Sequence, residues 1–138
     1  MTELKIIYNS TKECFVKHNQ SDTTIITQTP KEFGGLGNEF SSTDLLVAAL
    51  GTCLATSISA ILKRNSVALK DIELVVKKEL SIKPKAIKGI HVYIQINTLI
   101  ESSLVQKLER AIKSCLVFKA LLIRPKIYIK TKTKSFEI

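Results

Sequence analysis

The 18 residues from Leu45 to Leu62 carry no charged side chain. They sit inside "TDLLVAALGTCLATSISAILKRN", residues 43–65, and nothing else in the chain restricts the fold as strongly. A run of that length is near the lower limit for a membrane-spanning helix of about 20 residues. Gly51, Thr52, Cys53, Thr56, Ser57 and Ser59 interrupt it, however, and lower its hydrophobicity. Strand-like segments also flank it on both sides. The run therefore reads as a helix inside a globular protein, and no membrane association is expected. A helix apolar on all sides has to be covered on all sides. At about 1.5 Å per residue it is close to 30 Å long, and one sheet covers only one side of it. The small residues Ala48, Gly51, Ala55 and Ser59 suit close approach of another helix. A second helix, a second copy of the chain, or both are expected there.

The flanking segments define the fold class. "LKIIYN", "ECFVKHN" and "TTIITQ" are short β-leaning runs separated by the polar breaks "STK" and "QSD", the pattern of an antiparallel meander. The stretch 29–42, "TPKEFGGLGNEFSS", is a loop rich in Gly and Pro. Ser41, Ser42 or Thr43 can cap the following helix, and Asp44 suits the positive end of its dipole. After it, "DIELVVKKEL" and "KGIHVYIQIN" alternate with period two and are joined by "SIKPKA", which predicts a hairpin. Ile90, Val92, Ile94 and Ile96 form its apolar face, with His91 and Tyr93 opposite. In "ESSLVQKLERAIKSCLVFKAL", Leu104, Leu108, Ala111, Ile112 and Cys115 follow helical spacing. Pro125 ends that segment, and "KIYIKTKTKSFEI" predicts one last strand. The expectation is a single α+β domain over residues 1–138.

Composition narrows the function. Lys and Arg outnumber Asp and Glu by 21 to 12, a net charge of +9. The basic residues are spread from Lys5 to Lys134 and alternate with apolar ones, with no zinc-finger, RNP or basic-zipper pattern. No nucleic-acid partner is expected. Cys14, Cys53 and Cys115 are too few and too scattered for a disulfide scaffold, and with only His18 and His91 there is no metal-ligand spacing. "MTELKIIYNS" lacks the apolar core of a secretory signal. A cytoplasmic protein with reduced thiols, no metal and no bound cofactor is the expected setting.

A cysteine on an apolar helix is more often packing than chemistry. Cys53 and Cys115 each lie in the one helix of their half of the chain. Packed helices can bring such a pair within the Cα separation of a disulfide, about 4.4 to 6.8 Å, but periodicity alone does not bring them together. The ordered set does more. A glycine-rich loop, an acid, "LLVAALGTC", a two-stranded hairpin and then "SCLVFKAL", with the cysteines 62 positions apart, resembles the OsmC/Ohr family of osmotically inducible and organic-hydroperoxide-resistance proteins. The resemblance is to the broader OsmC-like branch and runs from about Lys31 to Leu122.

That resemblance implies an intertwined homodimer with antiparallel sheets and two long central helices. It implies reduction of organic hydroperoxides by a cysteine pair, with an external dithiol of the lipoyl type as reductant. Carried over, Cys53 is the peroxide-attacking cysteine and Cys115 the resolving one. Leu45, Leu46, Leu50, Leu54 and Phe118 would form an apolar wall beside them. The chain departs from the pattern at several points. No arginine precedes Arg64, though the hydroperoxide-reductase branch activates its cysteine with one from the N-terminal region, and Thr43 stands ten residues before Cys53 in place of the glutamate that holds that arginine. Leu116 and Phe118 replace the proline and serine of the second site. Mid-helix burial raises a thiol pKa above the free value of about 8.5, so Cys53 needs a cation. Lys31 is the candidate, against the plainer reading of a solvated loop lysine. Asp44 is either the family's acid or only a helix-start acid. Cys14 is read as packing. The alternative function is an OsmC-fold binding protein for a small apolar or electrophilic ligand, with little turnover.

Overall fold

A computed structural model describes residues 1–68 and 72–138. Asp71, which opens the predicted strand "DIELVVKKEL", lies outside the described residues. The chain falls into two compact units, Met1–Leu46 and Val47–Ile138.

In the first unit, strands β1 (Leu4–Tyr8), β2 (Glu13–His18) and β3 (Thr24–Gln28) form the expected antiparallel meander in the order β1-β2-β3. Ile6 stands opposite Val16, and Phe15 opposite Ile26. The loop that follows contains a 3₁₀ turn, Lys31–Phe33, then Gly34 with φ +83°. Gly35 has no alternative, because a Cβ there would stand 1.6 Å from the carbonyl oxygen of Thr29. The chain then returns beside β3, where the Gln28 N–H donates to Phe40 O at 2.8 Å.

Helix α1 (Ser42–Arg64) begins in the first unit and from Val47 onward belongs to the second. Its start is built by two residues. Ser41 Oγ accepts the Asp44 N–H at 3.1 Å, and the Asp44 carboxylate accepts the Ser41 N–H at 2.7 Å. This reciprocal cap contributes about 1 kcal/mol. The buried stripe is Val47, Leu50, Gly51, Leu54, Ile58 and Leu62, at three- and four-residue spacing. Leu50, Leu54, Ile58 and Leu62 are fully buried, each stabilising the fold by roughly 1.5–3 kcal/mol. The helix is long and apolar enough, by length and composition, to cross a membrane. Leu50, Leu54, Ile58 and Leu62 are instead used in the core.

Within one chain the helix is open on one side, where Ala48, Ala49, Thr52, Thr56 and Ala60 are exposed. One expectation is corrected: Gly51 does not receive a helix within the chain. A Cβ there would stand 3.0 Å from Val76 Cγ2, so the missing side chain lets the helix lie close to a strand.

The second sheet runs β4-β5-β6-β7, with β4 (Ile72–Ser81), β5 (Ala86–Ile96), β6 (Lys126–Thr131) and β7 (Ser135–Glu137). The predicted hairpin is β4 and β5, closed by a turn at 82–85. β5 and β6 are parallel, a pairing that needs a crossover connection, which the helical segment between them supplies. Ile90, Val92, Ile94, Ile96, Ile127 and Ile129 form its inner face and pack in one core with the α1 stripe and with Leu104, Leu108 and Ile112 of α2 (Ser102–Ser114).

Two predicted elements are divided. The helix expected over 101–121 breaks at Cys115, whose ψ of 129° is extended, and a short helix α3 (Leu116–Ala120) follows. No Gly or Pro marks this break, so the apolar period runs through it. The last strand is also split. Thr131 Oγ1 accepts the N–H groups of Thr133 and Lys134 at 3.3 and 3.1 Å, and this side-chain turn separates β6 from β7.

Candidate functional site

Cys53 lies between the buried and exposed sides of α1, one residue before Leu54 and one after Thr52, and is half-buried. Cys115 occupies the break between α2 and α3 and is 3% exposed. The two sulfurs are joined in a disulfide, with the Cα atoms 6.3 Å apart, inside the usual range of about 4.4 to 6.8 Å. Sequence periodicity left this meeting open. Cys115 Sγ also accepts the Phe118 N–H at 3.4 Å, so the same atom caps α3. The helix break thus positions the sulfur. A second tie lies at the other end of the helix pair, where Lys107 Nζ donates to Asn65 Oδ1 at 2.6 Å. Residue 53 meets 115 and residue 65 meets 107, so α1 and α2 run antiparallel.

The surroundings correct the expected apolar wall. Leu50 and Leu54 are fully buried in the core and are closed to a ligand. Leu45 and Leu46 belong to the first unit. Phe118, Val117 and Leu121 are half-buried against the core near Cys115, and Leu116 beside it is 79% exposed. Among the described residues of the second unit, the apolar surface accompanying the bridge comes from α3. Arg124 sits in an irregular stretch before Pro125, where no periodicity points to it. Its guanidinium stands 5.8 Å from the centre of the Phe118 ring, within cation–π range of about 6 Å.

Lys31 and Asp44 are both in the first unit. The stem of Lys31 lies over Gly37, where a Cβ would come within 2.7 Å of Lys31 Cγ. The Asp44 carboxylate accepts both the N–H and the hydroxyl of Ser41, each at 2.7 Å, at the start of α1. Cys14 is a free thiol of intermediate burial on β2.

Two depressions mark the second unit. A groove of about 600 Å³ lies between α1 and α2, with Ser57 and Ser114 at its end nearest the bridge. Another of about 450 Å³ lies on the outer face of the second sheet, around Tyr93, Tyr128 and Phe136. Tyr93 and Tyr128 stack there with ring centres 5.1 Å apart, and Lys77 Nζ lies 5.2 Å from the Tyr93 ring. Those tyrosines are more than the solvent-exposed strand face expected from alternation. Strand alternation turns them away from Val92 and Ile127, hence away from the core that holds Cys115. The larger groove is the one related to the sulfurs.

Comparison with known proteins agrees with this geometry. The family described as "OsmC-like protein" matches residues 35–131. A crystal structure from Psychrobacter arcticus, of a protein named for osmotic stress induction and a detoxification response, is 26% identical. It superposes with a TM-score of 0.85 over 94% of this chain and 96% of that one. The organic hydroperoxide resistance protein OsmC of Legionella pneumophila is 18% identical, with a TM-score of 0.74 over 95% of this chain and 96% of that one. A Vibrio cholerae protein named for organic hydroperoxide resistance, with captopril bound in one of its active sites, is 16% identical. Its TM-score is 0.68 over 97% of this chain and 94% of that one. No functionally curated protein matches the chain. With more than half of its length matched to that family, an α+β fold of two sheets and three helices, and a cysteine bridge from the long helix, the chain belongs to the OsmC-like proteins.

Proposed function

We propose that this protein reduces organic hydroperoxides with Cys53 and Cys115 and is recharged by an external dithiol in the cytoplasm. The observation that carries the reading is the bridge between Cys53 and Cys115. In the reduced protein the Cys53 thiolate attacks the O–O bond. The distal oxygen passes to sulfur as a sulfenic acid, and the other leaves, after protonation, as an alcohol. Cys115 sulfur then attacks the sulfenic sulfur, water leaves, and the disulfide forms. A dithiol reduces it by two exchanges and departs as its own disulfide. Exchange depends on access to the sulfur attacked. With Cys115 at 3% exposure, the half-buried Cys53 is the entry point for the reductant. The exposed Leu116 and half-buried Phe118 favour an organic peroxide over hydrogen peroxide.

The test is chemical. One equivalent of cumene hydroperoxide added to the reduced protein should give an intramolecular Cys53–Cys115 peptide pair and leave Cys14 alkylatable. Cys53 advancing to sulfinic acid with Cys115 untouched would remove Cys115 from the resolving role. Binding of a small apolar or electrophilic ligand without turnover is the competing function. The absence of any arginine before Arg64 favours it, and failure of peroxide to oxidise Cys53, together with binding of such a ligand, would put it ahead of the enzyme.

Activation of Cys53 needs a cation, and Lys31 is the candidate the sequence offers, against the plainer reading of a solvated loop lysine. Removing a cation lowers the thiolate fraction at neutral pH. Lys31→Ala should slow peroxide attack about tenfold, about 1.4 kcal/mol of barrier, and leave thermal stability nearly unchanged. Stopped-flow rates equal to the parent between pH 6 and 9, alongside a loss in Arg124→Ala, would transfer the role to Arg124.

A further inference from the structure

The groove between α1 and α2 gathers Arg64, Lys107 and Arg110 along one side of the antiparallel helix pair, and among the described residues no acid lines it. Lys107 and Arg110 are three residues apart on α2, where like charges face each other and destabilise a helix. An acid at either position would relieve that repulsion. Instead, among the described residues, none of the three is paired with a carboxylate. Lys107 is bonded to the neutral amide of Asn65 at 2.6 Å, and Arg110 Nε donates to Gln106 O at 3.4 Å. The nearby Glu109 is taken by Lys113 at 2.6 Å. Three uncompensated cations in a concave site of about 600 Å³ match an anion, and the two guanidinium forks match a carboxylate bidentately.

The groove also has direction. Ser57 is one helical turn beyond Cys53, and Ser114 directly precedes Cys115, so one end approaches the bridge. At about 1.5 Å per residue, Lys107 lies about 12 Å along α2 from Cys115, and Arg64 about 16 Å along α1 from Cys53. Ala60, Ile61 and Ala111 line the stretch between the two ends. We infer that this groove binds an amphipathic ligand by its carboxylate, held by Arg64, Lys107 and Arg110, while its aliphatic stem lies on Ala60, Ile61 and Ala111 toward the bridge. The inference rests on the proposed thiol chemistry only for what the far end of the ligand does. A carboxylate on an aliphatic stem belongs equally to a peroxide substrate or to a dithiol reductant.

Calorimetry on the whole protein tests the site without turnover. Dodecanoate should bind at least about tenfold more tightly than dodecanol, which has the same stem without the charge. Acetate, with the charge alone, should not bind measurably. Arg64→Gln and Arg110→Gln should each weaken dodecanoate binding about tenfold and remove its advantage over dodecanol, while Arg110→Lys should weaken it less. Equal binding of dodecanoate and dodecanol, parent-like affinity in both Gln variants, or no dodecanoate binding because another copy fills the groove, would each overturn the inference. Turnover then separates the two sources. If the site reads the substrate, Arg110→Gln should lower the rate ratio of a fatty-acid hydroperoxide to its methyl ester. If it reads the reductant, the ratio of dihydrolipoate to dihydrolipoamide should fall instead. Neither ratio moving would confine the site to non-substrate carboxylates and overturn its link to the bridge. Complete inactivity of the parent with intact dodecanoate binding would sink the proposed function and leave the anion site standing.

Discussion

Cys53→Ser is expected to bring steady-state hydroperoxide consumption down to the uncatalysed background, a loss on the order of 10³-fold or more, as for removal of other covalent nucleophiles. A serine hydroxyl at the same place has nothing to activate it and forms no sulfenic acid. Cys115→Ser should behave differently. Its first turnover keeps the attacking sulfur, so one equivalent of peroxide is consumed at near the parent rate. The sulfenic acid then has no partner at 6.3 Å Cα separation, and excess peroxide carries Cys53 to sulfinic acid. Stopped-flow consumption of cumene hydroperoxide with dithiothreitol, followed by mass analysis of the Cys53 peptide, separates the two variants. Parent-like steady turnover in Cys53→Ser would remove the thiol mechanism altogether. Steady turnover in Cys115→Ser would show that the reductant attacks the sulfenic acid directly.

What could be read from the sequence depended on whether a residue's neighbours in space were also its neighbours in period. Ile90, Val92, Ile94 and Ile96 declared their strand because one face of it is buried. Leu104, Leu108 and Ile112 declared α2 for the same reason. The break at Cys115 was hidden, since Leu116 occupies the place where a proline would have announced it. Thr131 likewise split a strand through its hydroxyl, a contact that alternation does not encode. The cysteine pair was legible only through the ordered motif set, because a separation of 62 positions leaves no local signal. The groove cations were invisible for a similar reason. Arg64 reads as a helix-end residue, while Lys107 and Arg110 read as a solvated helix face. Only the antiparallel pairing of α1 with α2 puts them on one site.

The largest structural effect is expected on the face of α1 that the single chain leaves open. Ala48, Ala49, Thr52 and Thr56 are exposed, yet none carries a charge. The hydroxyls of Thr52 and Thr56 donate back to Ala48 O and Thr52 O at 2.9 and 3.0 Å, so the face asks little of water. In the first unit Leu4, Ile6 and Tyr8 are 55%, 65% and 68% exposed, which adds apolar surface to be covered. A second copy of the chain would satisfy both demands, and stable dimers bury about 1,200–2,000 Å² or more. Sedimentation equilibrium at micromolar concentration should therefore give a dimer. Thr52→Glu would set an unpaired carboxylate into a dry helix contact, a penalty of several kcal/mol, and should weaken dimerisation on the order of 10³-fold. Lys63→Glu, beyond the uncharged face, should leave the dimer intact and serves as the control for an added carboxylate on the same helix. A parent that sediments as a stable monomer would end the case for a dimer, because the open face of α1 would then be an ordinary helix surface in water.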